Sequence, residues 1–125
     1  MLSRQRFDVS TDTGTWTDTG PAFSGGILQM RWEPVAGDTG GDLEISLLSE
    51  LGTDTGNGII FFSDNDCLGA DFLRVPLQPG HGADGFDTGV DNYFPIVGAG
   101  DRIRVKVTPG GASLSGRLYV WTYSG

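Results

Sequence analysis

The chain has one cysteine, Cys67, and one histidine, His81, among 125 residues. A lone cysteine excludes an intrachain disulfide, and a lone histidine excludes the histidine pairs that hold zinc or copper. Even together the two fall short of a structural zinc set. Basic residues are scarce too: eight against sixteen acidic ones, for a formal net charge of −8. Such a surface repels nucleic acid and anionic lipid at long range, so neither is expected as the main partner. No apolar run approaches the ~20 residues of a membrane-spanning helix. The first residues, Met1-Leu-Ser-Arg-Gln-Arg-Phe-Asp8, lack the apolar core of a secretory signal. Synthesis and folding in a reducing cytoplasm are therefore expected. Nor is there a helical stripe of four turns, because glycine, with 21 copies, interrupts nearly every window of ten residues.

What the chain does have is repeated turn chemistry. Asp-Thr-Gly occurs five times, at Asp12, Asp18, Asp38, Asp54 and Asp87. Asp and Thr side chains bond backbone groups one or two residues on, and Gly takes the positive φ that reverses a chain. Between these tripeptides lie runs of period-2 hydrophobicity. Gly26–Glu33 places Leu28, Met30 and Trp32 on one face, and Pro34 is expected to close it. Asp42–Leu48 does the same with Leu43, Ile45 and Leu47, and Asp101–Thr108 with Ile103, Val105 and Val107. Phe7–Thr11, Thr15–Thr17, Asp71–Gln78, Asn92–Val97 and Arg117–Tyr123 are further strands. Gly58–Ser63 is a continuous apolar run, suited to a strand covered on both faces or touching a partner.

About eight strands with no helix predict an all-β domain: a two-sheet antiparallel sandwich, with a jelly roll as the leading topology and an immunoglobulin-like sandwich as its competitor. One domain spans residues 1–125, with 1–6 a short N-terminal arm and Gly80–Asp91 a projecting loop.

The Asp-Thr-Gly tripeptides also suggest an aspartic protease, which needs two carboxylates sharing a proton. In that family an apolar strand leads into the tripeptide. Here only Phe86 precedes one as an apolar residue, so the five are read as turns and no catalytic residue is assigned. Calcium is the one ion that the loops suit. Ser63-Asp64-Asn65-Asp66 and the set Asp84, Asp87, Asp91 and Asn92 are rich in oxygen ligands, without the spacing of an EF-hand. The bland reading is a solvated turn whose side chains cap backbone amides. No metal site or cofactor is assigned. Cys67 reads as a small, partly buried side chain and His81 as a loop residue, and the serines lack a nucleophile elbow.

Three features mark a contact surface. Arg102, Arg104 and Lys106 project from one face of a strand, either to pair with Asp42 and Glu44 or to dock on an acidic surface. Arg4 and Arg6 make a basic arm on an acidic chain. Tyr119, Trp121 and Tyr123 share the strand face opposite Leu118 and Val120, and suit the anchors of an interface.

The stretches Gly37–Leu48, Asp64–Asp71, Gly100–Gly111 and Arg117–Tyr123 together resemble small proteins made beside the major capsid protein of tailed bacteriophages. These are the cement, or decoration, proteins of jelly-roll type. The likeness lies in size, strand rhythm and turn composition over most of the chain. It implies a non-enzymatic virion protein that binds the outer surface of a capsid, bridges capsomers and stabilises the shell. The major capsid protein would be its partner, and a symmetric homodimer would suit the two-fold relations of the shell. Two other classes stay open: a carbohydrate- or receptor-binding β-sandwich, with or without calcium, and a hydrolase, which would need two carboxylates converging in a pocket.

Overall fold

The computed structural model describes residues 1–37, 40–48, 58–79 and 93–124, with side chains at 78–79 and 93–95 left aside. The described residues hold nine strands and no helix: β1 (Leu2–Ser10), β2 (Trp16–Gly37), β3 (Asp42–Leu48), β4 (Ile59–Asp64), β5 (Phe72–Arg74), β6 (Leu77–Pro79), β7 (Tyr93–Pro95), β8 (Val97–Thr108) and β9 (Leu114–Tyr123). All pairings are antiparallel. The main sheet has seven strands in the order β1-β9-β2-β8-β3-β4, with β5 also on β2, and β6 and β7 pair separately. The all-β antiparallel class is as expected. The main strands, however, form one continuous hydrogen-bonded sheet.

That sheet is folded over at β2. Its residues from Trp16 to Gly26 pair with β8, and those from Gly26 to Gly37 pair with β9. A straight strand of 22 residues would reach about 70 Å. Yet Val107 pairs with Trp16 at one end of β2, and Leu114 pairs with Gly37 at the other. The short link from Thr108 to Leu114 can span only about 20 Å. The two ends of β2 must therefore lie close, and the strand doubles back near Gly25, where φ is +123°. The register slips at Phe23/Ser24 and at Ile27/Gln29, one bulge on each side of the bend. One leaf is β1, β9, the second half of β2, and β5. The other is the first half of β2, β8, β3 and β4.

Between the leaves sits one core. Phe7, Val9, Ile27, Met30, Trp32, Leu118 and Val120 from the first leaf meet Leu43, Ile45, Ile103, Val105 and Val107 from the second. The expected inward residues are there, apart from two. Leu47 is only partly buried, and Leu28 is 41% exposed while Ile27 is fully buried. The Ile27/Gln29 bulge is the reason: one extra residue flips the alternation upstream of it.

Two other expectations are corrected. Pro34 does not close its strand, since β2 runs on to Gly37 and absorbs the missing donor at a register shift between Pro34 and Ala36. Residues 1–6 are not a free arm, because Leu2 to Arg6 open β1 and pair with Tyr123 to Tyr119. The backbones of Met1 and Ser124 also bond to each other in both directions.

Candidate functional site

The outer face of the first leaf carries its chemistry in rows set by register. Leu2 lies beside Tyr123. Arg4 lies beside Trp121, which also meets Gln29. Arg6 lies beside Tyr119, which also meets Arg31. Asp8 lies beside Arg117, which also meets Glu33. Directly opposed residues on antiparallel strands point to the same side, so these side chains form one surface. Phe7, Val9, Leu118 and Val120 alternate with them and point into the core. The alternation of β9 thus gives the molecule both its packing and an aromatic stripe.

Contacts within this surface fix its cations. The Arg4 guanidinium lies over the Tyr119 ring, 4.9 Å from the centroid, a cation–π geometry. The rings of Tyr119 and Trp121 are 5.9 Å apart and tilted by 34°. Arg6 donates through Nε to Asp8 at 2.8 Å, and Asp8 raises the Arg6 pKa. Arg31 pairs with Glu33 at 3.3 Å. Arg4, Arg6, Arg31 and Arg117 against Asp8 and Glu33 make the face cationic on a chain of net charge −8. It joins an aromatic centre to an arginine rim, the residue types enriched at interface hot spots.

Arg102, Arg104 and Lys106 do share one face of β8, opposite Ile103, Val105 and Val107, as the alternation predicts. They do not join the aromatic face. β8 belongs to the second leaf, and both leaves turn their apolar sides to the common core, so the two outer faces point away from each other. The single patch expected from sequence is therefore two patches. Of the two acids expected to pair with the ladder, Glu44 stands opposite Lys106, while Asp42 stands opposite Thr108. Arg104 faces Ser46, and Arg102 faces Leu48.

The other candidates resolve locally. Asp12-Thr13-Gly14 lies in the bend between β1 and β2. Asp18-Thr19-Gly20 lies inside β2 and is not a turn, and the Asp18 carboxylate accepts from the Thr19 amide at 2.8 Å. Asp38, Asp54 and Asp87, like His81, Asp84, Asp91 and Asn92, lie outside the described residues. In the loop after β4, Asp64 accepts from the Asn65 amide and Asp42 from the Asp66 amide, each at 2.9 Å. Asp66 itself has a φ of +52°, a left-handed turn position that Asp tolerates. These carboxylates cap backbone donors. Among the described residues no three His, Cys, Asp or Glu side chains converge on a metal position.

Cys67 sits in the same loop. Its amide donates to Gly41 O at 3.0 Å, and its thiol lies 3.6 Å from Asp64 O. Desolvation first, then the nearby Asp64 carboxylate, pushes the thiol pKa up to about 11. Only the thiolate is nucleophilic, so at pH 8 roughly one molecule in a thousand is reactive. Iodoacetamide at pH 8 should therefore modify folded Cys67 about a hundredfold more slowly than the urea-unfolded chain, and the folded rate should climb steadily to pH 11. Equal rates in the two states would contradict this account.

Sequence reasoning missed Leu68, Gln29 and Arg31. Leu68 is fully buried although it lies in a loop, and nothing periodic marks it. Gln29 and Arg31 join the aromatic face only because β9 lies beside β2, which local alternation does not reveal. The apolar run read at Gly58–Ser63 is β4. Ile59 is 75% exposed there, and a groove of about 430 Å³ runs between Leu47, Ile59, Ile60, Phe61, Leu77, Ile96 and Val97.

The fold and this face define an all-β antiparallel domain with a cationic aromatic sheet surface. Comparison with protein-family models, with curated proteins and with solved structures finds no match to this chain.

Proposed function

We propose that this protein is a structural module that binds the outer surface of a tailed-bacteriophage capsid and stabilises the shell, performing no chemistry of its own. The observation that carries the reading is the aromatic row Tyr119, Trp121 and Tyr123 flanked by Arg4, Arg6 and Arg31 on one sheet face. Aromatic side chains supply desolvated anchors, and the arginines set orientation against an acidic partner surface. The resemblance to capsid cement proteins supplies the partner, the major capsid protein. The Arg102, Arg104 and Lys106 ladder on the opposite leaf adds a second cationic face. One copy then has two surfaces with which to bridge neighbouring capsomers, and the homodimer expected from sequence is not needed for bridging. Elsewhere the acidic surface keeps coated particles apart in solution.

The carbohydrate-binding reading would use the same aromatic row. Stacking on sugar rings needs open, aligned aromatic faces. Here Tyr119 and Trp121 are tilted to each other, and Arg4 covers one face of Tyr119. Protein docking suits this arrangement better.

The test strips the protein from particles, adds it back, and records the temperature at which DNA is released. Restored particles should release DNA at a higher temperature than stripped ones. The Arg4→Glu/Arg6→Glu variant should lose rebinding by about tenfold or more, because like charges then face each other. Identical release temperatures for stripped and restored particles would remove the stabilising role.

A further inference from the structure

Building on the docking face assigned above, we propose that its partner element is an extended acidic segment of polypeptide, with side chains in the order apolar, spacer, acidic, spacer, acidic, laid lengthwise along β1 and β9. The order is read from the rows. At one end, Leu2 and Tyr123 are 60% and 50% exposed, an apolar pair that suits an apolar side chain. The next two rows are cationic: Arg4 with Trp121, then Arg6 with Tyr119 and Arg31. The fourth row holds Asp8 and Glu33 on either side of Arg117, and its two carboxylates repel a third acid. An acidic segment is thus accepted over two rows and refused at the next, which sets its position along the strand.

The spacing favours an extended chain. Successive same-face residues on β1 and β9 lie about 6.7 Å apart, the interval at which an extended segment repeats its own same-side residues. A helix repeats near 1.5 Å per residue and drifts out of step with these rows. The donors are suitably held. Arg4 spends the face of its guanidinium on Tyr119, which leaves the N–H edge for a carboxylate. Arg6 gives Nε to Asp8, and its terminal fork remains for a partner.

The experiment uses the full chain and synthetic peptides. Leu-Ser-Glu-Ser-Glu and its reversal are compared with the scramble Glu-Glu-Ser-Ser-Leu and with a heparin fragment of equal charge, following amide shifts on β1 and β9. One of the two patterned peptides should bind at least fivefold tighter than the scramble, and less tightly as salt screens the pairs. Arg4→Gln with Arg6→Gln should lower that affinity at least fivefold at unchanged thermal stability. Arg74→Gln, on β5 and outside these rows, should leave it unaltered. Equal affinity for patterned and scrambled peptides overturns the proposal, and so does tighter binding of heparin, which would make the occupant an acidic glycan. Peptide binding is measured without particles. If shell stabilisation is seen and the peptides fail, only the extended-segment assignment falls. If the peptides bind and shells are not stabilised, the capsid role falls instead.

Discussion

Replacing Gly25 by alanine is expected to destabilise the domain by about 3 kcal/mol or more, enough to leave much of the chain unfolded at 37 °C. Two costs combine. The backbone at Gly25 has a φ of +123°, a region that residues with a Cβ rarely enter. The added Cβ would also overlap the backbone carbonyl of Tyr123 on the paired strand. That neighbour is main chain inside a ladder, so it cannot swing aside as a side chain would. Gly111 separates the two costs. Its φ is +136°, and a Cβ there meets nothing within 4 Å. Gly111→Ala should therefore cost about 1–2 kcal/mol from backbone strain alone. Urea denaturation of the two variants checks the account, and equal losses would show that the overlap at the bend is relieved by a small backbone movement.

The second large effect is expected at Trp32. Its side chain is fully buried, and its Nε1–H donates to Leu68 O at 3.0 Å. This bond ties the loop after β4 to the middle of the first leaf. Gly116, on the neighbouring β9, has no room for a Cβ because the indole ring fills that space. Trp32→Ala should cost about 3–5 kcal/mol through the cavity it opens. Trp32→Phe keeps much of the packing but strands a buried carbonyl, for about 1–3 kcal/mol. Hydrogen exchange at the Cys67 amide, which donates to Gly41 O, should rise in both variants, since the loop loses its tie. Wild-type protection of the Cys67 amide in Trp32→Phe would mean that the bond does not anchor the loop.

Much of the fold could be read from alternation alone. Leu43 and Ile45, and likewise Ile103, Val105 and Val107, sit where period-2 patterning puts them, because a strand with one buried face has little choice of register. Leu28 fails because bulges insert residues without any composition mark, and the doubled β2 has one on each side of its bend. Pro34 reads as a stop, yet it lies at a register irregularity that spares the missing donor, as Pro21 does earlier in the same strand. For the candidate site, local alternation identified the aromatic stripe and the ladder. It could not place Arg4 and Arg6 beside Trp121 and Tyr119, nor send the ladder to the other leaf. Those facts depend on which strands are neighbours, and pairing partners far apart in sequence leave no local trace.

The position of β9 between β1 and β2 has a kinetic consequence. Thr11 and Leu114, 103 residues apart, exchange hydrogen bonds, and the hydrogen-bonded path from β1 to the rest of the sheet runs through β9. A ribosome delivers β1 and β2 long before their shared partner. Until Leu118 and Val120 emerge, β1 lacks its hydrogen-bonding partner, and the leaf that holds Phe7, Val9, Met30 and Trp32 stays incomplete. The nascent chain therefore carries an unpaired β1 through most of its synthesis, and loop closure over such distances makes folding slow. Chaperones that shield exposed strands should govern the yield of this protein more than its final stability does.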